Sequence, residues 1–322
     1  MRDVLPTLER WADSGVRAAV AILVDVEKSA PLEPGAVLAV SANGEIVGSV
    51  TGGCVEPALY EEARAVLGGE PARLVSYGVA DEDAFEVGLP CGGTVHLLVA
   101  EMDPRVAREL AAAVRDERPA ALRVTTSGGD AGRMAATDGD AETALENGLF
   151  TLSLAPRPRM YVFGALDHAA ALARVGRLLG FHVTVCDARA KFATRERFPD
   201  ADEVVAEWPD AFLSSAPVDE RSAVCVLTHD SRFDVPLLKV ALETPAGYIG
   251  AMGARRVTEA RRSRLRAEGV PEEALDRVHA PIGLAIGSRT PEEVAVAIGA
   301  EIVAVMRGRH PSRGAVAATP VR

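Results

Sequence analysis

The sequence predicts an α/β protein: an N-terminal α+β domain, then a C-terminal Rossmann-like doubly wound parallel sheet. Three observations predict it. The chain has 322 residues, a length suited to about two domains. After Arg159, short apolar runs alternate with amphipathic stretches, the pattern of parallel strands joined by crossover helices. Before that point the pattern is mixed, and an Asn43-Gly44 hairpin signal separates two apolar segments. The best break is the proline-bearing stretch "SLAPRPRMYVFG", Ser153 to Gly164, where regular structure is interrupted near Pro156. The expected domains are residues 1–153 and 154–322.

In the first half a helix is expected near Leu5 to Ser14, followed by the strand "RAAVAILVDVE". "AVLAVSANGEIVGSV" reads as two strands around the Asn43-Gly44 turn. A helix, "PALYEEARAVL", begins just after Cys54, and a strand follows near Arg73 to Tyr77. "GTVHLLVAEM" reads as a strand and "PRVARELAAAVRDE" as a helix, so the sheet is antiparallel or mixed.

In the second half "RMYVFGA" is a continuous apolar strand, and "HAAALARVGRLLG" is helical, with Gly180 as its stop. The strands "FHVTVCDAR", "DEVVAE" and "SAVCVLTHD" follow, then the helix "VPLLKVALET" and the strand "GYIGAMGA". A long helix runs from Arg255 to Glu268. The last helix has Thr290 as N-cap, Pro291 at its first position and acids in its first turn.

Composition narrows the function classes. With 48% apolar and 25% charged residues the chain has the balance of a soluble globular protein. Its N-terminus lacks a signal-peptide block, and "AAVAILV" is too short to span a bilayer. A cytoplasmic protein with no membrane partner is expected. A net charge of −11 argues against nucleic acid as a partner. The basic stretch "ARRVTEARRSRLR", Ala254 to Arg266, is either a solvated helix face or a docking face for a partner or an anionic ligand.

Of the four cysteines, Cys186 and Cys225 lie inside apolar strand runs and are expected to be buried. Cys54 and Cys91 are different, each flanked by two glycines in "TGGCVEP" and "LPCGGT". Three readings stay open for them: turn residues, nucleophiles, or soft ligands for a metal or metal cofactor. His96 lies within a strand and reads as a paired strand histidine.

Open parallel sheets bind ligands outside the carboxyl ends of their strands. Those ends carry Gly164, then Asp187 and Arg189, then His229 and Asp230. Asp187 follows Gly164 by 23 residues, the placing of an acid that takes ribose hydroxyls of NAD(P) or another nucleotide. Only Gly164 of the three fingerprint glycines is present, with Leu166 and Ala169 at the later positions, so the alternative is a scaffold without dinucleotide. His229 beside Asp230 is either an acid/base pair or a strand-end cap.

The runs "PGAVLAVSANGEIVGSVTGGCVEPALYEEA", "FEVGLPCGGTVHLLV", "VFGALDHAAALARVGRLLGFHVTVCDARAKFATRERFPDADEVV", "LTHDSRFDVPLLKVAL", "YIGAMGARR" and "HAPIGLAIGSRTPEEVAVAIGAEIVAV" resemble the XdhC/CoxI family of xanthine dehydrogenase accessory proteins. The resemblance covers roughly Leu5 to Arg307. It implies a protein that binds molybdenum cofactor (molybdopterin) and helps it acquire a terminal sulfur from a cysteine desulfurase. The cofactor would then pass to a molybdenum hydroxylase apoenzyme of the xanthine or carbon monoxide dehydrogenase type. Such a maturation factor need not be a catalyst. The competing class is an NAD(P)-dependent oxidoreductase. The family's cysteines fall on Cys54 and Cys91, the expected metal contacts, within roughly 10 Å of each other if they share one ligand. The candidate cofactor-binding set is Gly52, Gly53, Cys54, Glu56, Cys91, Gly92, Gly93, Gly164, Asp187, Arg189, His229 and Asp230. In this reading the glycine N–H groups and the helix N-terminus receive the anionic part of the cofactor. A homodimer is the base-rate expectation.

Overall fold

The computed structural model describes residues 1–78, 92–228 and 230–309. The chain divides into two compact units, Met1–Pro156 and Arg157–Arg322.

The first unit is organised by one strand. After α1 (Leu5–Asp13), β1 (Ala18–Glu27) buries every residue from Ala18 to Val24. A strand can do this only when both of its faces are covered. Val20, Ile22 and Val24 enter one core, and Ala19, Ala21 and Leu23 enter another. The β2 (Val37–Ser41) and β3 (Ile46–Ser49) hairpin lies on one side of β1. After α2 (Glu56–Leu67) come β4 (Arg73–Tyr77) and β5 (Thr94–Glu101). The sheet order is β3-β2-β1-β5-β4, antiparallel throughout. Next comes α3 (Pro104–Arg115). Its Val106 and Leu110 share a core with Leu5, Leu8 and Trp11 of α1, whereas Leu59, Ala63 and Val66 of α2 fill the core behind the opposite face.

A second antiparallel sheet was not expected from the sequence. It is built from β6 (Ala120–Thr125), β7 (Met134–Asp138), β8 (Ala144–Glu146) and β9 (Leu149–Leu154), in the order β7-β6-β9-β8. Its strands are short and separated by Gly- and Asp-rich turns, which dilutes the period-two signal. Leu122, Val124, Phe150 and Leu152 nevertheless point into the α1–α3 core.

The second unit is the expected Rossmann-like sheet. In chain order it comprises β10 (Arg159–Phe163), α4 (Asp167–Leu178), β11 (His182–Cys186), β12 (Glu203–Val205), α5 (Pro209–Ser215) and β13 (Ala223–Val226). Then follow α6 (Ser231–Glu243), β14 (Tyr248–Ala251), α7 (Arg255–Ala267), α8 (Glu272–Leu275), β15 (Val278–His279) and α9 (Pro291–Met306). All six strands are parallel, in the order β12-β11-β10-β13-β14-β15. The strand order reverses between β10 and β13, so a crevice opens at their carboxyl ends. Met160 and Val162 face a core shared with α4 and α9, and Tyr161 and Phe163 face a core shared with α6. Cys225 and Cys186 are buried as expected, one in each core. Burial pushes the Cys186 thiol up to about 12 and also raises Cys225, which makes both unreactive.

Helix α6 starts four residues before the expected Val235, because Asp230 caps it by accepting from the Arg232 N–H at 3.0 Å. Helices α5 and α8 are short and carry no periodic signal. Thr290 caps α9 as expected, and Glu293 completes a reciprocal capping box. Among the described residues no helix is long and apolar enough to cross a membrane.

One buried acid ties the last helix to the sheet. Glu301 of α9 accepts from the Tyr248 hydroxyl at 2.6 Å and from the Gly283 N–H at 2.8 Å. Glu301→Leu removes both hydrogen bonds and should destabilise the protein by about 2 to 4 kcal/mol in urea unfolding, with Glu301→Gln costing less. An unchanged midpoint for Glu301→Leu would show that these bonds contribute nothing.

Candidate functional site

The loop between β3 and α2 is fastened at three points. Val50 and Val55 are both 0% exposed and anchor its two ends in the α2 core. The third point is the carboxylate of Glu56, the first residue of the helix. Its Oε1 accepts from the Ser49 hydroxyl at 2.6 Å and from the N–H groups of Val50, Thr51 and Gly52 at 3.1, 2.9 and 3.1 Å. Its Oε2 accepts from the Thr51 hydroxyl at 2.8 Å and from the N–H groups of Gly53 and Val55 at 2.8 and 3.2 Å. Two hydroxyls and five amides thus surround one carboxylate. Gly52 and Gly53 take φ of 82° and 121°, which lets successive N–H groups turn inward onto a single anion. Pro57 fits because a first-turn residue needs no N–H partner.

This geometry corrects one expectation. The N–H groups of Gly52 and Gly53 do not wait for an external anion; they donate to Glu56 of their own chain. What the loop leaves exposed is Gly52 and Gly53, while Cys54 is half-buried and packs against the α2 core. Burial alone would raise the Glu56 pKa, but the bonds from Ser49, Thr51 and Val50 outweigh it and hold the carboxyl far below its ordinary 4.5. Ser49 and Thr51 are the residues that sequence reasoning missed. Their signal is a hydroxyl-rich turn leading into a helix whose first residue is acidic.

Cys91 and His229 lie outside the described residues, and with them the expected Cys54–Cys91 proximity and the His229–Asp230 pair. Gly92 and Gly93 lead into β5. A Cβ on Gly93 would fall 1.9 Å from the Ser29 carbonyl oxygen, so this glycine allows two backbone segments to approach closely. His96 is the paired strand histidine expected: its Nδ1 lies 2.7 Å from the Ser76 hydroxyl.

In the second unit, Gly164, Asp187, Arg189 and Asp230 gather at the crevice. A cavity of about 670 Å³ there is lined by residues that include Leu166, Asp187, Arg189, Thr228 and Asp230. Asp187 is engaged on both oxygens. Oδ2 accepts from the Ala165 N–H at 2.7 Å and Arg189 Nη2 at 2.7 Å, and Oδ1 accepts from Arg189 N and Nε at 2.9 Å each. Burial opposes its ionisation, but the Arg189 guanidinium and the two N–H groups keep its pKa below the usual value. Gly164 has φ of 113°, and a Cβ there would meet Thr228 at 2.9 Å. Asp230 is the α6 cap, and its bonds from the Arg232 side chain and N–H hold it down to about 2.

The fit to molybdenum cofactor is therefore partial. A half-buried soft thiol on a fixed loop suits a metal or its sulfur. The amide nest does not suit the cofactor phosphate, because Glu56 fills it. Among the described residues no cluster of three or more His, Cys, Asp or Glu side chains forms a protein-only metal site.

Glu56→Gln would put an NH₂ donor against donors. The amides of residues 50–55 should then exchange with solvent about tenfold faster or more, as expected when charge-assisted bonds are lost. Because the folded pKa is depressed, the Glu56 contribution is present above its unfolded value near 4.5 and is lost as pH falls. Wild-type stability should therefore fall more steeply than that of the variant between about pH 5 and 3. Parallel pH profiles and equal exchange rates would contradict the lock.

Comparison with known proteins agrees with both units. A family described as "XdhC and CoxI family" matches residues 11–78, and "XdhC Rossmann domain" matches residues 160–302. A Bacillus subtilis protein, named as a probable subunit of xanthine dehydrogenase, is 26% identical, covering 92% of this chain and 95% of its own length. An Escherichia coli protein named "Molybdenum cofactor insertion chaperone PaoD" is 27% identical, covering 91% of this chain and 84% of its own length. A Bacillus halodurans crystal structure described as a xanthine dehydrogenase is 25% identical and superimposes with a TM-score of 0.78, covering 96% of this chain and 97% of that one. With a glycine-flanked cysteine loop in the first unit and a Rossmann sheet in the second, each matched by its own family description, the chain belongs to the XdhC/CoxI family.

Proposed function

We propose that this protein binds molybdenum cofactor, supports its sulfuration, and delivers it to a molybdenum hydroxylase of the xanthine or carbon monoxide dehydrogenase type. The observation that carries the reading is Cys54, half-buried on a loop that Glu56 locks from inside. The names of the relatives support it: one is a cofactor insertion chaperone and another belongs by name to xanthine dehydrogenase. When bound, the cofactor supplies the redox-active metal that a hydroxylase uses. The protein's own part is to hold and release it. Cys54 offers one soft contact, Cys91 is proposed as the second, and the locked loop keeps Cys54 at a fixed place without a rigid metal cage. A labile contact of this kind suits hand-over from a cysteine desulfurase step to an apoenzyme better than a closed four-ligand site does. The protein acts in this reading as a maturation factor and not as a catalyst.

The test is cofactor retention. Wild type and Cys54→Ser, isolated from cells that make the cofactor, are compared for molybdenum and for fluorescence of the oxidised pterin. Retention should fall about tenfold or more, the scale on which metal-site partners act. Equal retention would remove Cys54 from the site.

The 670 Å³ crevice favours a narrower second reading, in which it holds a nucleotide, NAD(P) or another, with Asp187 and Arg189 at its wall. Asp187→Ala should then weaken nucleotide binding about tenfold in calorimetry, the loss expected for one hydrogen bond to a charged group. No binding by wild type would leave the crevice without a nucleotide role. The NAD(P)-dependent oxidoreductase alternative requires, beyond binding, a change in nicotinamide absorbance on adding substrate.

A further inference from the structure

The arginines of α7 do not all serve the fold. Arg262 pairs with Glu272 and Asp276, and Arg266 pairs with Glu272. Arg261 is buried at 6% exposure, and its Nη2 donates to Asp234 at 2.6 Å and to the Met252 carbonyl at 2.9 Å. The other nitrogen of that guanidinium, Nη1, is buried and has no hydrogen-bond partner among the described residues. Arg256 and Arg264 are exposed, and no carboxylate pairs with either among the described residues. These three arginines line one cavity of about 240 Å³, together with Ser231 at the start of α6 and Asp234.

We propose that this cavity between α6 and α7 binds a tetrahedral oxyanion, the phosphate group of a ligand, through Arg256, Arg261 and Arg264 with Ser231 at its edge. The charge balance favours an anion. Three guanidinium groups stand against one carboxylate, and Asp234 already receives both Arg261 and the Thr228 hydroxyl. This positive spot sits on a chain of net charge −11. A buried N–H on a cation is costly without an acceptor, so the free Nη1 calls for an oxygen. Arginine's planar fork matches the geometry of phosphate oxygens, and three such groups supply more donors than a carboxylate can accept. Ser231, the first residue of the 13-residue α6, adds a hydroxyl, while the helix end itself is capped by Asp230. The site lies within the second unit and shares no residue with the Cys54 loop, and the inference does not rest on the cofactor reading. It favours an anionic ligand over a merely solvated face for the basic stretch.

A smaller cavity of about 30 Å³ also touches Arg261 and Thr258, whose hydroxyl is buried without a partner among the described residues. It has room for about one water, the competing way to satisfy Nη1. Calorimetric titration of the full chain at constant ionic strength separates the two. Inorganic phosphate and phenyl phosphate are titrated into wild type and into the double variant Arg256→Gln/Arg264→Gln, with chloride as the reference salt. Both substitutions are on exposed side chains, and thermal unfolding without phosphate should be unchanged. Saturable binding to wild type, weakened at least about tenfold in the double variant, is the expected result, on the scale of losing charge-assisted bonds. Binding of phenyl phosphate at least as tight as that of inorganic phosphate identifies a phosphate monoester as the ligand, and binding of inorganic phosphate alone identifies the free ion. No saturable binding to wild type, or equal binding to the double variant, would overturn the proposal and leave a water as the partner of Nη1.

Discussion

The carboxylate of Glu56, enclosed by the amides and hydroxyls of the loop before it, is the interaction on which the candidate site depends. A six-residue turn with two left-handed glycines has little reason to hold one shape, because glycine loses more backbone freedom on ordering than any other residue. Charge-assisted bonds to a single acceptor offset that loss. Glu56 belongs to α2, whose Leu59, Ala63 and Val66 are packed into the core, so the loop inherits the rigidity of the helix. A thiol held this way can meet a bulky ligand without a rearrangement at each encounter. The same arrangement excludes a second anion from the nest, so any phosphate contact must come from elsewhere in the chain.

The second unit uses its polar groups in a related manner. Asp187 braces the Gly164 turn through the Ala165 N–H, and Arg189 folds over its carboxylate. Glu301 braces β14 and the loop after β15 against α9. Asp234 receives Arg261 beneath α7. Each acid has been drawn into the scaffold. Arg256 and Arg264 of α7, which pair with no carboxylate among the described residues, line a cavity beside Arg261.

Much of the fold was legible in the sequence, and the reasons are specific. The run Ala18 to Val24 is apolar at every position because both of its faces are buried. The Thr290-Pro291-Glu292-Glu293 start of α9 carries its own cap chemistry. The order of β and α segments after Arg159 requires crossovers and hence a parallel sheet. The sheet of β6 to β9 was not legible, since strands of three to six residues between polar turns give almost no period to read. In the site, the place of Cys54 before a helix was legible, but the use of the amides around it was not. Spacing identifies a turn rich in N–H donors, and only the folded rotamer of Glu56 decides which anion they receive. Gly93 shows the same limit: its sequence setting suggests room for a ligand, whereas its packing accommodates Ser29.

The proposed role of Cys54 is to meet the cofactor. The most direct measurement is the alkylation rate of Cys54 itself, followed by mass spectrometry on apo and cofactor-loaded protein. Cys186 and Cys225 serve as buried internal references. Cys54 should react readily in the apo protein and be protected once the cofactor is bound, with its reactivity returning when an acceptor hydroxylase takes the cofactor away. Equal alkylation in the apo and loaded states would contradict it.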